Sequence, residues 1–215
     1  MLDGIVPPLL VLGLGVALAL SRRRFFTERA NAPVVALVIA SALIALALFL
    51  ELKMGRPATY QHGPVRVWSG DIHSDQNSQQ IFDPYSFTHV IHGALFYGLS
   101  RLILGKTSFT TALITTVTLE AAWEVYENTD QVVNRYRAET VSLGYYGDSI
   151  LNSFVDILAC IGGLLIAWRR PAWVTLSWIV VVEVILAIWI RDNLTLNIIM
   201  LIHPVPAIKA WQAGA

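Results

Sequence analysis

Charged residues are scarce in this chain. Asp, Glu, Lys and Arg make up only 14% of its 215 residues, whereas hydrophobic residues make up 55%. Soluble globular domains carry about 25% charged residues. The few charges stand in short clusters between long apolar runs, so the composition excludes an ordinary soluble domain and favours a bundle of helices surrounded by lipid.

The shortage of cysteine and the lack of excess basic charge each exclude a class of function. Cys160 is the only cysteine, so the chain can form no internal disulfide and no cysteine-based metal site. The 15 basic residues equal the 15 acidic ones in number and form no extended basic stripe. Because nucleic-acid binding relies on such a stripe, we expect no nucleic-acid partner.

Six apolar stretches are visible, most of them close to the ~20 residues that a helix needs to cross the hydrocarbon core. They cover residues 5–20, 33–50, 85–104, 108–126, 148–168 and 172–190. A further stretch, 194–202, is too short to cross and is expected to be interfacial or re-entrant. Since no internal repeat or linker interrupts the pattern, the sequence predicts one all-α membrane domain over residues 1–215: a polytopic bundle of about six transmembrane helices plus a short C-terminal interfacial segment.

The orientation follows from the basic residues of the connections. Those after the first, third and fifth predicted helices are short and basic, and contain Arg22, Arg23, Arg24 and Arg29, then Arg101 and Lys106, then Arg169 and Arg170. The other connections are longer and rich in acids. The positive-inside rule therefore predicts that both termini and the outer loops 51–84 and 127–147 lie outside, which is the periplasm for a bacterial inner-membrane protein.

Ionisable residues inside a bilayer are costly, at roughly 2.5–3.5 kcal/mol each near its centre. Four of the predicted helices nevertheless contain polar or ionisable residues. They are His89 and His92 on the third; Glu120, Glu124 and Glu127 on the fourth; Asp148, Asn152 and Asp156 on the fifth; and Glu183 on the sixth. Because residues three or four apart share one face of a helix, each of the first three sets is directed to one side.

The depth of these residues can be compared through the helical rise of 1.5 Å per residue. Asp156 then lies about 12 Å below Asp148, and Glu120 about 10 Å below Glu127. The predicted layers are a deep one with His92, Glu120, Asp156 and Glu183, an intermediate one with His89, Glu124 and Asn152, and a mouth with Glu127 and Asp148. We therefore expect one polar site in the outer half of the membrane.

Three interpretations of this site remain open. The first is a catalytic or metal site, because His and carboxylate groups act as acids, bases or ligands for zinc or a harder divalent ion. The spacing matches no established signature such as HExxH, so neither a metal nor its identity follows from the sequence. The second is a proton or ion path, and the third is a hydrogen-bonded polar core in which Arg135 or Arg137 neutralises the acids.

Four segments resemble a known family. They are 86–93 (SFTHVIHG), 120–128 (EAAWEVYEN), 145–153 (YYGDSILNS) and 191–197 (RDNLTLN). All four are similar to segments of an uncharacterised protein family of alphaproteobacterial multi-pass inner-membrane proteins, and the resemblance covers most of the chain from Trp68 onward. It implies a membrane location and no assigned biochemical activity.

A looser resemblance connects the chain to the VanZ-like family, which is linked to envelope and glycopeptide-antibiotic phenotypes. The positions that match its pattern are Asp83, His89, Glu120, Asp148, Asn152, Asp156 and Gly162. The spacings are approximate, and Pro84 stands where that family's Lys is expected. This resemblance implies chemistry on an envelope lipid or glycan.

The function that we expect is an enzyme or binding protein for an envelope lipid or lipid-linked substrate at the periplasmic leaflet. The candidate catalytic residues or ligands are His89, His92, Glu120, Glu124 and Asp156, and the candidate substrate-binding residues are Glu127, Asp148, Asn152 and Glu183. A small transporter or ion-coupled carrier, or an accessory subunit of a membrane complex, is the alternative. Membrane lipid is the one partner that the sequence indicates, while protein partners stay open.

Overall fold

The computed structural model describes residues 8–13 and 32–214, and that part of the chain is all-α, as predicted. It contains no strand, and its one isolated β-bridge joins Trp68 to Phe82. The helices are α1 (described over 8–13), α2 (Ala32–Lys53), α3 (Ser86–Leu104), α4 (Phe109–Glu127), α5 (Asp130–Glu139), α6 (Ile150–Arg169), α7 (Ala172–Ile190), α8 (Leu194–Ile202) and α9 (Pro206–Gln212).

The prediction of an outer loop at 127–147 is wrong in one respect, because about half of this segment forms helix α5. This helix buries Val132, Val133 and Tyr136 in one stripe. Its other residues are mostly polar, so it does not stand out as an apolar run. Helix α9 is likewise absent from the sequence prediction. Most of the first predicted helix, 5–20, lies outside the described residues.

Within the described residues, three helices are long and apolar enough to cross a membrane: α2, α6 and α7. Neither α3 nor α4 is apolar enough by itself. Counted together as one span with a bend of 119° between the two helices, they raise the number of candidate spans to four at most. The prediction of about six spans is therefore not confirmed. The ionisable residues of α3 and α4 explain why neither helix has the mean hydropathy of a span, since the His side chains of α3 and the Glu side chains of α4 lower it.

The side chains before each helix explain where α3, α4, α6 and α8 begin. Asp83 Oδ1 accepts hydrogen bonds from the backbone N–H groups of Tyr85 (2.7 Å) and Ser86 (3.2 Å) at the start of α3. The N-cap side chains of Ser108, Ser149 and Asn193 accept a backbone N–H in the first turn of α4, α6 and α8 in the same way. Such caps satisfy the donors that a helix leaves free at its N-terminus.

Two glycines set the contact between α3 and α6. A Cβ atom on Gly93 would lie 1.8 Å from the carbonyl oxygen of Cys160, and a Cβ atom on Gly163 would lie 1.9 Å from that of Val90. The two backbones therefore touch, as small residues allow in helix pairs within membranes. This contact fixes the face of α3 that carries His89 and His92 relative to α6.

The outer surface of the bundle is apolar. On α7, Val180 (60% exposed), Ile185 (53%) and Ile188 (78%) point away from the rest of the protein. On α2, Val34 and Val38 are each 62% exposed. Exposed apolar surface on this scale is compatible with a membrane protein, whose helices face lipid rather than water.

The polar connections gather at one end of the bundle, which we call the polar end (residues 54–85, 128–149 and 191–214). The backbone N–H of Ser149 donates to the carbonyl of Ser78 (2.9 Å), and Tyr85 Oη donates to Asp192 Oδ2 (2.9 Å). Arg56 binds the carbonyl of Tyr146 (2.5 Å), so it joins the segments after α2 and α5. These bonds hold the loops over the ends of α3, α4 and α6.

Asp192 fastens α8 and α9 to this end. Its carboxylate accepts hydrogen bonds from Tyr85 Oη, from Asn197 Nδ2 (2.9 Å) and from Gln212 Nε2 (3.0 Å). Burial raises the pKa of the Asp192 carboxyl to about 7, although these three donors favour the ionised form. One side chain therefore links the start of α3 to both C-terminal helices.

Replacement of Gly163 by Ala should destabilise the protein, because the new methyl group meets backbone that cannot move aside. We expect a loss of roughly 1–3 kcal/mol, measured as a lower midpoint of thermal unfolding of the detergent-solubilised chain. Gly162→Ala is the matched control, since nothing lies within 4 Å of a Cβ at that position. Equal midpoints for the two variants would contradict the α3–α6 contact.

Asp192 should make stability depend on pH. The unfolded chain releases this proton near pH 4, at the ordinary pKa of Asp, whereas the folded chain keeps it until about pH 7. The folded state thus binds more protons in this window, so stability falls as the pH rises through it. We expect the unfolding midpoint to decline between about pH 4 and 7 in the native protein, and less so in Asp192→Asn. Parallel declines in both proteins would show that another group causes them.

Candidate functional site

Glu120 joins the two histidines of α3. His89 Nδ1 lies 2.6 Å from Glu120 Oε1, and His92 Nδ1 lies 3.0 Å from Glu120 Oε2. Because His89 and His92 are three residues apart, both rings lie on the face of α3 that meets α4. Each oxygen of one carboxylate thus contacts one imidazole, which is an arrangement that aligns both rings.

Two further carboxylates approach His89 from α4 and α6. Glu124 Oε1 lies 3.2 Å from His89 Nδ1, and Asp156 Oδ2 lies 3.9 Å from His89 Nε2. Glu120 and Glu124 are fully buried, and Asp156 is 3% exposed. We call these five residues (His89, His92, Glu120, Glu124 and Asp156) the His–carboxylate cluster. The structure therefore brings together all five residues that the sequence analysis names as catalytic candidates.

The cluster has an excess of negative charge. Three carboxylates face two imidazoles, and no lysine or arginine of the described chain lies within 4.0 Å of a cluster carboxylate. Arg135, which the polar-core interpretation assigns to the acids, instead binds the carbonyl groups of Leu201 and Ile202 at the end of α8. Proton sharing or a bound cation must balance this charge, since an unpaired buried charge is very costly.

Asp148 forms a second polar group above the cluster. Its Oδ2 accepts a hydrogen bond from Asn128 Nδ2 (2.7 Å), and its Oδ1 accepts one from Tyr145 Oη (3.0 Å). The backbone N–H of Asp148 donates in return to Asn128 Oδ1 (2.7 Å). Burial raises the pKa of the Asp148 carboxyl, which lies just before α6 begins. Asp148 thus sits in a rigid frame that links the ends of α4 and α6.

Two of the predicted substrate-binding residues make structural bonds instead. Asn152 is fully buried, and its Nδ2 donates to the carbonyl of Gln80 (3.0 Å). Glu183 accepts the backbone N–H groups of Leu194 and Thr195, each at 3.0 Å, and so caps α8. Neither residue lines the cavity described next. Outside its own helix, the hydrogen bonds of Glu183 among the described residues go to Asn193, Leu194 and Thr195, and none of them reaches the other members of the predicted deep layer.

A cavity opens beside the imidazoles, and the space inside its outline is about 540 Å³ when the open solvent at its mouth is counted. Its polar wall contains both histidines of the cluster, together with Glu127, Asp148 and the hydroxyl-bearing Tyr85, Tyr136 and Tyr145. A second wall is one face of α8, which contributes the apolar Leu194, Ile198 and Leu201 together with Asn197. Glu120, Glu124 and Asp156 lie behind the rings and do not line the cavity. Of the His–carboxylate cluster, the imidazoles are thus the groups that a bound molecule would meet.

This geometry allows specific chemistry. A carboxylate that holds one ring nitrogen fixes the orientation of an imidazole, so the other nitrogen can exchange a proton or bind a ligand. Residues of this cluster also match the donors of a metal site: one ligand atom each from His89, His92 and Glu120 lies within 4.8 Å of the other two. Either use requires the buried carboxylates that surround the rings.

Sequence reasoning missed several residues of the site. Tyr136 and Tyr145 line the cavity from two different segments, and no spacing rule connects them. Asn128 lies in one of the segments that resemble the family, but its pairing with Asp148 depends on the folded loops. Glu51 is a fully buried carboxylate at the end of α2 whose two oxygens accept no hydrogen bond in the part of the chain that the structure describes. A charge at the end of an apolar run was the one available signal for Glu51.

Several curated proteins of alphaproteobacteria are similar to this chain over most of its length. A UPF0314 protein of Sphingopyxis alaskensis is 46% identical over 177 residues, which cover 82% of this chain and 94% of that protein. The identity is 46% over 178 residues for one of Sinorhizobium fredii, with 83% and 90% covered. It is 42% over 195 residues for one of Paracoccus denitrificans, with 91% and 99% covered.

No solved structure matches this chain. The resemblance to the VanZ-like family is not shown by these comparisons and stays a prediction. The family described as "Protein of unknown function (DUF2585)" matches residues 51–214, a range that includes the His–carboxylate cluster, the cavity and the polar end. Together with the identities above, this match shows that the chain belongs to that uncharacterised alphaproteobacterial family.

Proposed function

We propose that this chain is a multi-pass protein of the bacterial inner membrane that binds an amphiphilic envelope molecule, a lipid or a lipid-linked substrate. The observation that carries the proposal is the cavity, which has a polar wall with two histidines and an apolar wall from α8. A molecule with a polar head and an acyl or prenyl tail satisfies both walls at once. A small polar solute would leave the α8 face without a partner.

The membrane location is supported by the apolar helices and their exposed faces. Helices α2, α6 and α7 have the length and composition of membrane spans. Trp173 on α7 is 71% exposed near one end of that helix, and Trp189 is 49% exposed near the other. Tryptophan at both ends of an apolar helix is typical of the two membrane interfaces.

The roles follow from position in the cavity. His89 or His92 would serve as the general base or ligand, because their rings reach the cavity while the carboxylates behind them fix their orientation. Glu127 and Asp148 line the cavity and would orient the polar head through hydrogen bonds. The tail would leave along Ile198 and Leu201. This division of roles keeps polar atoms on the polar wall and the hydrocarbon on α8.

The polar end would face the periplasm. Arg101 and Lys106 lie at the short turn between α3 and α4, and Arg169 and Arg170 lie at the turn between α6 and α7. Both turns are at the end of the bundle away from the cavity. Because basic residues favour the cytoplasmic side, the cavity would open toward the outer leaflet.

Cysteine labelling tests this orientation. In a Cys160→Ala background, a cysteine at Gln61 in the polar end should react with a membrane-impermeant maleimide added to spheroplasts. A cysteine at Lys106 should react only after the membrane is permeabilised. Both positions are exposed, so access to reagent rather than burial decides the result. Labelling of Lys106→Cys alone in closed spheroplasts would reverse the proposed orientation.

Two isoleucines of α8 test the binding of an amphiphile. Ile198 lines the cavity, whereas Ile202 is 76% exposed and does not line it. Ile198→Trp should fill the space for a tail, and Ile202→Trp should leave that space open. Native mass spectrometry of the detergent-purified chain, with retained lipid counted, should show several-fold less lipid on Ile198→Trp than on the native protein.

Ile202→Trp is the matched control, and its comparison with Ile198→Trp defines the contrary outcome. This variant adds the same indole to the same helix and should retain as much lipid as the native protein. Equal retention by both variants would mean that lipid binds the outer surface and not the cavity. If the native chain retains no lipid and also binds none that is added, the proposed ligand class is refuted.

A further inference from the structure

We infer that His89, His92, Glu120 and Glu124 form a binding site for one divalent transition-metal ion. This site goes beyond the proposed binding of an amphiphile and does not depend on it, since the metal would be held by residues on and behind the polar wall. The argument rests on three features of the described residues: the direction of the donor atoms, an unpartnered buried carboxylate and the local charge.

The donor atoms lie close together, since one ligand atom each of His89, His92 and Glu120 lies within 4.8 Å of the other two. The Nδ1 atoms of both histidines face Glu120, at 2.6 Å for His89 and 3.0 Å for His92, and Glu124 Oε1 lies 3.2 Å from His89 Nδ1. Around zinc, with metal–ligand bonds of about 2.0–2.2 Å, neighbouring tetrahedral donors are roughly 3.3–3.5 Å apart. The three distances above are shorter than this spacing by up to about 0.9 Å, so these donors would separate slightly to admit an ion between them.

Glu124 supplies an independent observation. This side chain is fully buried, and neither of its carboxylate oxygens accepts a hydrogen bond from the described residues. Oxygens in such a position normally have a partner, because an unsatisfied buried carboxylate costs free energy. A metal ion next to His89 Nδ1 would give Glu124 the partner that its position lacks.

The local charge favours a cation. Even with both imidazoles protonated, Glu120, Glu124 and Asp156 exceed them in charge, and no described lysine or arginine lies within 4.0 Å of these three. A divalent ion bound to two neutral imidazoles offsets two of the three negative charges. It does so without a basic side chain from another helix.

Asp156 has the position of an outer carboxylate. Its Oδ2 lies 3.9 Å from His89 Nε2, on the side of the ring away from Glu120. Histidines that bind a metal through one nitrogen commonly direct the other N–H toward a carboxylate, which orients the ring and strengthens the bond. Asp156 is therefore a positioning residue for this site. Imidazole and carboxylate donors without sulfur suit zinc, manganese or iron(II).

The test uses the full chain, purified in detergent, treated with a chelator and then loaded with Zn²⁺ alone. After excess ion is removed, elemental analysis should find one zinc per native chain. His92→Ala and Glu120→Gln should each lose most of it. His62→Ala is the matched control, because His62 forms an exposed pair with Asp75 (3.0 Å) outside the cluster. This control should retain the ion in full.

Asp156→Asn separates a positioning role from a ligand role. It should still bind one zinc but with an affinity about 10–100-fold weaker, as measured by competition with a chromophoric chelator. X-ray absorption of the zinc-loaded native chain adds a readout that needs no variant. It should show a nitrogen and oxygen shell with imidazole scattering.

Three outcomes would overturn the site. They are no stoichiometric zinc on the native chain, equal zinc on His92→Ala, or a spectrum without imidazole scattering. In each case shared protons would balance the cluster instead. The lipid result is separate, because Ile198→Trp should lose lipid and keep its zinc. A native chain that retains lipid but binds no zinc would refute the metal site alone, and a native chain that binds zinc but no lipid would refute the amphiphile alone.

Discussion

The contact on which the site depends is the bond from one carboxylate to two rings. Glu120 reaches from α4 to both histidines of α3, and it is fully buried. A buried carboxylate is stable only with partners, so its position requires α3 and α4 to pack with these faces together. The glycine contact between α3 and α6 then determines where Asp156 lies. Helix packing and site chemistry are thus one constraint, since neither set of residues can move without the other.

The polar end adds a second layer of order. Asp83 caps α3, the Asp148–Asn128 pair joins α4 to α6, and Asp192 binds α8 and α9. These carboxylates hold the loops that form the mouth of the cavity, and they are distinct from those that hold the imidazoles. The same residue type thus has two tasks in this protein. Acids in the connections fix the backbone, and acids within the helices fix the rings.

The sequence predicts the deep part of this site well and its mouth poorly. Spacings of three and four place His89 with His92 and Glu120 with Glu124, because a regular helix has a fixed period. Glu183 has no such partner on its helix and is placed by its depth alone, yet it caps α8 through its carboxylate, since the chain turns back after α7. The roles of Tyr136 and Tyr145 depend on how the segment 128–149 folds over the bundle, and no local period encodes that path.

A double-mutant cycle between His92 and Glu120 tests the central claim most directly. The free energies of unfolding of the native chain, His92→Ala, Glu120→Ala and the double variant give the coupling between the two side chains. If Glu120 holds both rings in one buried cluster, the coupling energy should exceed about 1 kcal/mol, as it does for residues of a shared network. Additive losses, with no coupling beyond error, would contradict the account, because the two residues would then act as unrelated buried groups.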